Sequence, residues 1–136
     1  MTRLLSVACL VAVGLSLVSC KDSQACEEGR MKMAKTWGKV KDTAGARALP
    51  SEDDELTDAQ KAERKRVWTA IQEHAYLVEG SFKTPQITWA AADKGRADLQ
   101  AAYQNVPNKE DPLVGGFGQM VVEANAEYET FKKNCR

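Results

Sequence analysis

The sequence predicts an all-α fold, an up-down-up-down four-helix bundle, on three observations. Four stretches repeat their apolar residues at the three- and four-residue steps of a helix. No segment of four or more residues alternates with β-branched or aromatic enrichment, so strand signals are poor. The segments between the stripes are short and either polar or rich in Gly and Pro, as loops are. In such a bundle the start of the first helix and the end of the fourth share one pole. Cys26 and Cys135 fall at those two places, each on an inward stripe.

The first helix carries Cys26, Arg30, Met33, Trp37, Val40 and Ala44 on one face, with Ser23 as its expected cap. Glu27 and Glu28 suit the positive end of its dipole. A polar connection follows from Gly45 to Leu56. The second stripe is Val67, Ile71, His74 and Val78, flanked by Trp68 and Ala75, and Gly80 suits its end. Thr57 and Gln60 read as a capping box, while Ser51 with Asp54 could cap a longer version. Thr84-Pro85 reads as the opening of a third helix, whose inward face is Trp89, Ala92, Arg96, Leu99 and Tyr103. Asn105 to Pro107 stops it, and the next loop is expected to run to Gly116. The fourth stripe is the most regular: Phe117, Val121, Ala124, Tyr128, Phe131 and Cys135, with Glu129 and Lys133 as an i,i+4 pair outside it.

The chain has 136 residues, about one domain, with 43% hydrophobic and 28% charged residues, the make-up of a globular protein. Lys plus Arg and Asp plus Glu are 19 each, which leaves no overall basic footprint for nucleic acid. Arg3 precedes an uncharged, mostly apolar run from Leu4 to Val18. At about 15 residues that run has the length of a signal-peptide core and falls short of the roughly 18–20 that a spanning helix needs. It ends in Leu17-Val18-Ser19-Cys20, and here the chain resembles the bacterial lipoprotein class. The resemblance implies cleavage before Cys20, lipidation of its thiol and acylation of the new amino terminus. Residues 1–19 are then a signal peptide, 20–25 a short lipidated tether and 26–136 the bundle. The class attaches through several acyl chains, each gaining about 0.8 kcal/mol per buried CH₂. Lys21 follows the lipidated cysteine where an Asp would favour the inner membrane, so the resemblance places the protein in the outer membrane, facing the periplasm.

With Cys9 removed and Cys20 lipidated, Cys26 and Cys135 remain, an even pair in a compartment that favours disulfides. Closing so long a loop stabilises by about 4–5 kcal/mol on the chain-entropy argument. No C-x-x-C, haem-attachment motif or zinc set surrounds the pair, which reads as a structural staple. Five residues separate Cys20 from Cys26. Fully extended they reach about 20 Å at ~3.5 Å per residue, so the stapled pole is expected to hug the membrane and the opposite pole to face away.

Candidate sites are few. His74, the single histidine, has no Asp, Ser or Cys at dyad spacing and reads as a residue at the core's edge. Met31 and Met33 point to different faces of a helix and cannot chelate a metal together; with Met120 they read as core filling. Gly115-Gly116-Phe117-Gly118 lacks the Lys-Ser/Thr of a phosphate loop and reads as a flexible lead into the fourth helix. Arg30 and Arg96, on inward stripes, are expected to snorkel at the bundle edge or to pair with a carboxylate such as Glu123. The most unusual surface feature is the acidic run Glu52, Asp53, Asp54 and Glu55 beside Lys61, Arg64, Lys65 and Arg66. Adjacent acidic and basic patches would orient a partner and speed its arrival, while a solvated loop and helix start is the plain alternative.

The expected function is a lipid-anchored, non-catalytic binding or assembly module of the bacterial cell envelope, with an unknown envelope protein as partner, no cofactor, no metal and no nucleic acid. About 110 residues leave little room for a cleft, and no nucleophile–base constellation appears. Two alternatives stand beside it: an inhibitor or immunity-type lipoprotein that blocks one protein, and a carrier of a small ligand or metal.

Overall fold

A computed structural model describes residues 23–49 and 55–136. The signal peptide, Cys20 and the acidic residues Glu52, Asp53 and Asp54 lie outside the described residues. Four helices are present and no strand occurs among the described residues: α1 (Ser23–Ala48), α2 (Asp58–Gly80), α3 (Trp89–Gln104) and α4 (Pro112–Cys135). Consecutive helices run antiparallel, and α1 also packs on α4, which closes the four-helix bundle.

The predicted stripes form one core. Met33, Trp37, Val40 and Ala44 of α1 meet Val67, Ile71, Ala75 and Val78 of α2, Ala92 and Leu99 of α3, and Phe117, Val121, Ala124, Tyr128 and Phe131 of α4. Met33 is 2% exposed and fills the core as expected, whereas Met31, expected to do the same, is 61% exposed, because residues two apart on a helix point to different faces. The disulfide joins Cys26 and Cys135 across 109 positions, with Cα atoms 5.6 Å apart. It ties the start of α1 to the end of α4, so both ends of the described bundle meet at one pole.

Local chemistry explains the boundaries, including those the sequence placed wrongly. α1 is already helical at Ser23, three positions after Cys20, so residues 23–25 are helix and not an extended tether. It also runs through Gly45 to Ala48, where a loop is expected, because Ala44 and Ala48 keep the stripe buried. A Cβ on Gly45 would stand 2.5 Å from Gln72 Nε2, so the residue that looks like a helix breaker is a point of close approach to α2. The α2 start follows the capping box: Gln60 N–H donates to Thr57 Oγ1 at 3.2 Å and Thr57 N–H to Gln60 Oε1 at 2.9 Å. Residues 55–57 are not helical, which excludes the longer helix capped by Ser51. α2 ends at Gly80 without a left-handed glycine; Ser81 stays right-handed and its hydroxyl donates to the Leu77 carbonyl at 2.9 Å.

α3 begins at Trp89 and not at Thr84-Pro85. Residues 81–88 form turns in which Thr84 Oγ1 donates to the Gln86 carbonyl and Thr88 N–H to the Ser81 carbonyl. This path drives Phe82, which lies on no stripe, fully into the core. α4 begins five residues before Phe117, with Asp111 as its cap and Pro112 in the first turn. Leu113 N–H donates to Asp111 Oδ1 at 2.8 Å. Gly115 and Gly116 are therefore helical and not a flexible lead.

The two arginines on inward stripes, Arg30 and Arg96, are both engaged. Arg30, 9% exposed, donates to the Phe82 carbonyl and to the Glu27 carboxylate. Arg96 donates to Asn125 at 2.7 Å and to Glu129 at 2.8 Å and lies over the Tyr128 ring; Glu123 instead accepts from Gln119. Glu129 thus pairs across the bundle with Arg96, where an i,i+4 pair with Lys133 is expected.

A candidate docking cleft at the pole opposite the disulfide

The two poles are chemically unlike. At the disulfide pole Phe82, Trp89, Tyr128 and Phe131 pack edge to face or tilted, with ring centroids 5.6–6.2 Å apart. Asp93 accepts from Tyr128 Oη at 2.5 Å and from Lys132 Nζ at 2.8 and 2.9 Å. Burial pushes the Asp93 carboxyl up, and the Lys132 and Tyr128 hydrogen bonds more than offset it, holding the group below the ordinary carboxylate value. Glu79, in the α1/α2 seam, follows the same logic: burial raises it, and Lys41 at 2.9 Å and Lys83 at 3.0 Å bring it down. Burial, with the Asp93 hydrogen bond, pushes the Tyr128 phenol far up, so it stays a donor at any physiological pH.

At the distal pole the top of the core is open. A cleft of about 680 Å³ lies between the α1/α2 corner and the α3/α4 corner. Arg47 from the end of α1 and Leu56, Gln60 and Arg64 from the start of α2 make one wall. Pro107, Asn108, Leu113 and Val114 make the other. The floor is Trp68, whose ring meets Phe117 edge-on at 5.0 Å. The second wall is fixed by three local devices. Asn108 takes a left-handed φ of 56°, its carbonyl accepts from Asp111 N–H at 3.0 Å, and Tyr103 Oη donates to the Val114 carbonyl at 3.1 Å. Leu113 in this wall is 63% exposed, and Leu49, next to Ala48 at the end of α1, is 65% exposed.

Arg47 is the residue whose chemistry is incomplete. Its Nε is buried with no hydrogen-bond partner among the described residues. Its guanidinium lies 5.7 Å from the centre of the Trp68 ring, and no carboxylate among the described residues pairs with it. Two other buried nitrogens lack a partner among the described residues, Trp37 Nε1 and His74 Nδ1, and neither residue lines this cleft.

The charged patch read from the sequence is divided by this geometry. Glu55 and Arg64 line the cleft, and Arg64 Nε donates to the Arg47 carbonyl at 3.2 Å. Lys61, Lys65 and Arg66 do not line it, although Arg66 pairs at 2.6 Å with Glu63, which does. Sequence reasoning missed Arg47, Trp68, Leu113 and Val114, and its expectation that so small a domain has little room for a cleft is corrected. Asp111-Pro112 was the available signal, since a cap followed by Pro marks a helix start and so places Leu113 and Val114 at a corner. His74 is half-buried at the α2/α3 seam, where a core-edge histidine belongs. No group of three or more His, Cys, Asp or Glu among the described residues could hold a metal ion, and none of the described helices is long and apolar enough to cross a membrane. No family model, curated protein or solved structure matches the chain.

Proposed function

We infer that the chain is a lipid-anchored, non-catalytic binding module of the bacterial cell envelope that docks a protein partner with its distal pole. The observation that carries this reading is the placement of the open cleft, with exposed Leu49 and Leu113, at the end of the bundle opposite the Cys26–Cys135 bond. With α1 helical from Ser23, a lipid on Cys20 would hold the disulfide pole against the bilayer and leave the cleft facing away. The lipobox at Leu17-Val18-Ser19-Cys20 supports the anchor, and Lys21 supports the outer membrane.

Two measurements on the full chain in its own envelope test this. Metabolic labelling with a fatty-acid analogue should mark the wild type and be lost in Cys20→Ala. A photo-crosslinking residue at Leu113 should capture one protein reproducibly, and the same residue at Gln86, at the disulfide pole, should not capture it. Equal capture from both poles, or none from Leu113, overturns distal docking.

A further inference from the structure

We propose that the wall of the distal cleft holding Leu113 and Val114 is a flap: residues 112–116 unwind and re-form against Tyr103, while α4 from Phe117 onward stays in the bundle. Gly115 and Gly116 carry the argument. Both are helical and exposed, and no glycine among the described residues has a positive φ. A Cβ on Gly116 would meet nothing within 4 Å, and one on Gly115 would lie 3.7 Å from the Lys109 carbonyl, an ordinary contact. Neither backbone geometry nor close packing asks for glycine at these two positions. Each still lowers the helical equilibrium about five-fold against alanine, because glycine gives up more backbone freedom on becoming helical. Gly118 differs, since a Cβ there would stand 2.5 Å from Tyr103 Oη.

Few contacts oppose the unwinding. Leu113 is exposed and Val114 half-buried; Phe117 is the first residue of α4 in the closed core, against Trp68 and Tyr103. Three hydrogen bonds outline the closed form: Leu113 N–H to Asp111 Oδ1, Gly115 N–H to the Asp111 carbonyl at 2.8 Å, and Tyr103 Oη to the Val114 carbonyl at 3.1 Å. Tyr103 stands on α3, outside the flap, and so acts as its latch. The opposite wall is built differently. α2 also runs ahead of the core, with no buried residue before Val67, yet it starts on a capping box and residues 58–66 include no glycine. Those residues are mostly Ala, Lys, Glu and Arg, which are strong helix formers. One wall is therefore firm and the other loose, and unwinding carries Leu113 and Val114 away from Trp68 and widens the cleft from the α4 side alone. The flap gives the docking site above a closed and an open form, but its test needs no partner.

The test is native-state hydrogen exchange on the full chain, ¹⁵N-labelled in detergent micelles, with each rate corrected for the intrinsic rate of its local sequence. The amides of residues 115–118 bond back to residues 111–114 and report the flap, while those of 61–64 bond back to 57–60 and report the matching turn of α2. Residues 115–118 should be less protected than residues 61–64 by about ten-fold or more. Gly115→Ala/Gly116→Ala should raise their protection by about ten-fold or more, leave 61–64 unchanged and melt no lower than the wild type. Tyr103→Phe, which removes the latch hydroxyl, should lower protection at 115–118 about five-fold and leave residues 124–128 unchanged. Equal protection of the two turns, or no gain in the double alanine variant, overturns the flap. A Tyr103→Phe loss spread evenly along α4 overturns the latch. The docking reading fails separately: an empty Leu113 crosslink leaves these rates standing, and equal rates leave distal docking untouched.

Discussion

The disulfide pole and the distal pole are built from the same four helices by opposite rules. At the first, a covalent bond, an aromatic cluster and a charge network leave each inward arginine with partners. At the second, a cleft opens over Trp68, and Arg47 lies half-buried with no acceptor among the described residues. The covalent bond, the aromatic cluster and the Asp93 network lie at one end, and the open cleft with the unpaired Arg47 Nε lies at the other. Such separation lets a small domain carry an imperfect surface without unfolding, because local openings at one pole need not spread to the other.

The most direct way to break the contrast is to remove the bond. The double variant Cys26→Ala/Cys135→Ala frees a loop of 109 positions and should lose about 5 kcal/mol in urea unfolding, from the chain entropy returned to the unfolded state. A loss below about 1 kcal/mol would mean that the helices alone pin the two ends together.

Next comes the core beneath each pole. Phe82→Ala empties a fully buried site surrounded by Trp89, Tyr128 and Phe131 and should cost roughly 3–5 kcal/mol, whereas Leu113→Ala, at the exposed rim, should stay within about 0.5 kcal/mol of wild type. Similar losses from both would erase the distinction between the poles.

Phe82 also marks the limit of what the residues alone disclose. The stripes of α1 and α4 were legible because the helical period repeats over about three to four turns, so Met33-Trp37-Val40-Ala44 and Phe117-Val121-Ala124-Tyr128-Phe131 could hardly be read otherwise. A single aromatic in a turn has no period. It was hidden by Thr84-Pro85, whose cap-and-proline pattern imitates a helix start, while the Gly residues at 115 and 116 hid a real one at Asp111-Pro112. The pairing of Cys26 with Cys135 was legible because topology constrains both ends at once. The cleft was not, since Arg47, Trp68 and Leu113 come from three helices and converge only in the assembled bundle. Of the acidic and basic runs that stand out in the sequence, only Glu55 and Arg64 line the cleft among the described residues.

Acid should weaken the bundle through its two most engaged carboxylates. Asp93 and Glu79 have carboxyl values lowered in the folded chain, so their stabilisation is complete above the ordinary carboxylate range and is lost as pH falls through it. The melting temperature should therefore decline from about pH 5 downward, near and below the ordinary values of roughly 4. Asp93→Asn, which withdraws the anionic acceptor of Lys132 and Tyr128, should cost about 1–3 kcal/mol at neutral pH and make the decline shallower. An acid profile of the same depth in the variant would remove Asp93 from the account.

The finest comparison sets two arginines against each other. Arg30 and Arg47 are both on α1 and both partly or wholly buried, so replacing either with Met removes one cation and keeps an unbranched, largely apolar stem. Arg30→Met strips the Phe82 carbonyl of its donor and leaves it buried, at a cost of about 1–3 kcal/mol. Arg47→Met gives up a cation–π contact with Trp68 worth about 0.5–1 kcal/mol, but it also relieves a buried donor that has no acceptor among the described residues. These terms oppose each other, and a thioether can still pack against the indole, so the net change should lie within about 0.5 kcal/mol of zero. The decisive readout is the difference between the two variants in one denaturant titration. If Arg47→Met proved as costly as Arg30→Met, Arg47 would be a structural residue with a partner of its own, and the distal pole would lose the incompleteness that sets it apart.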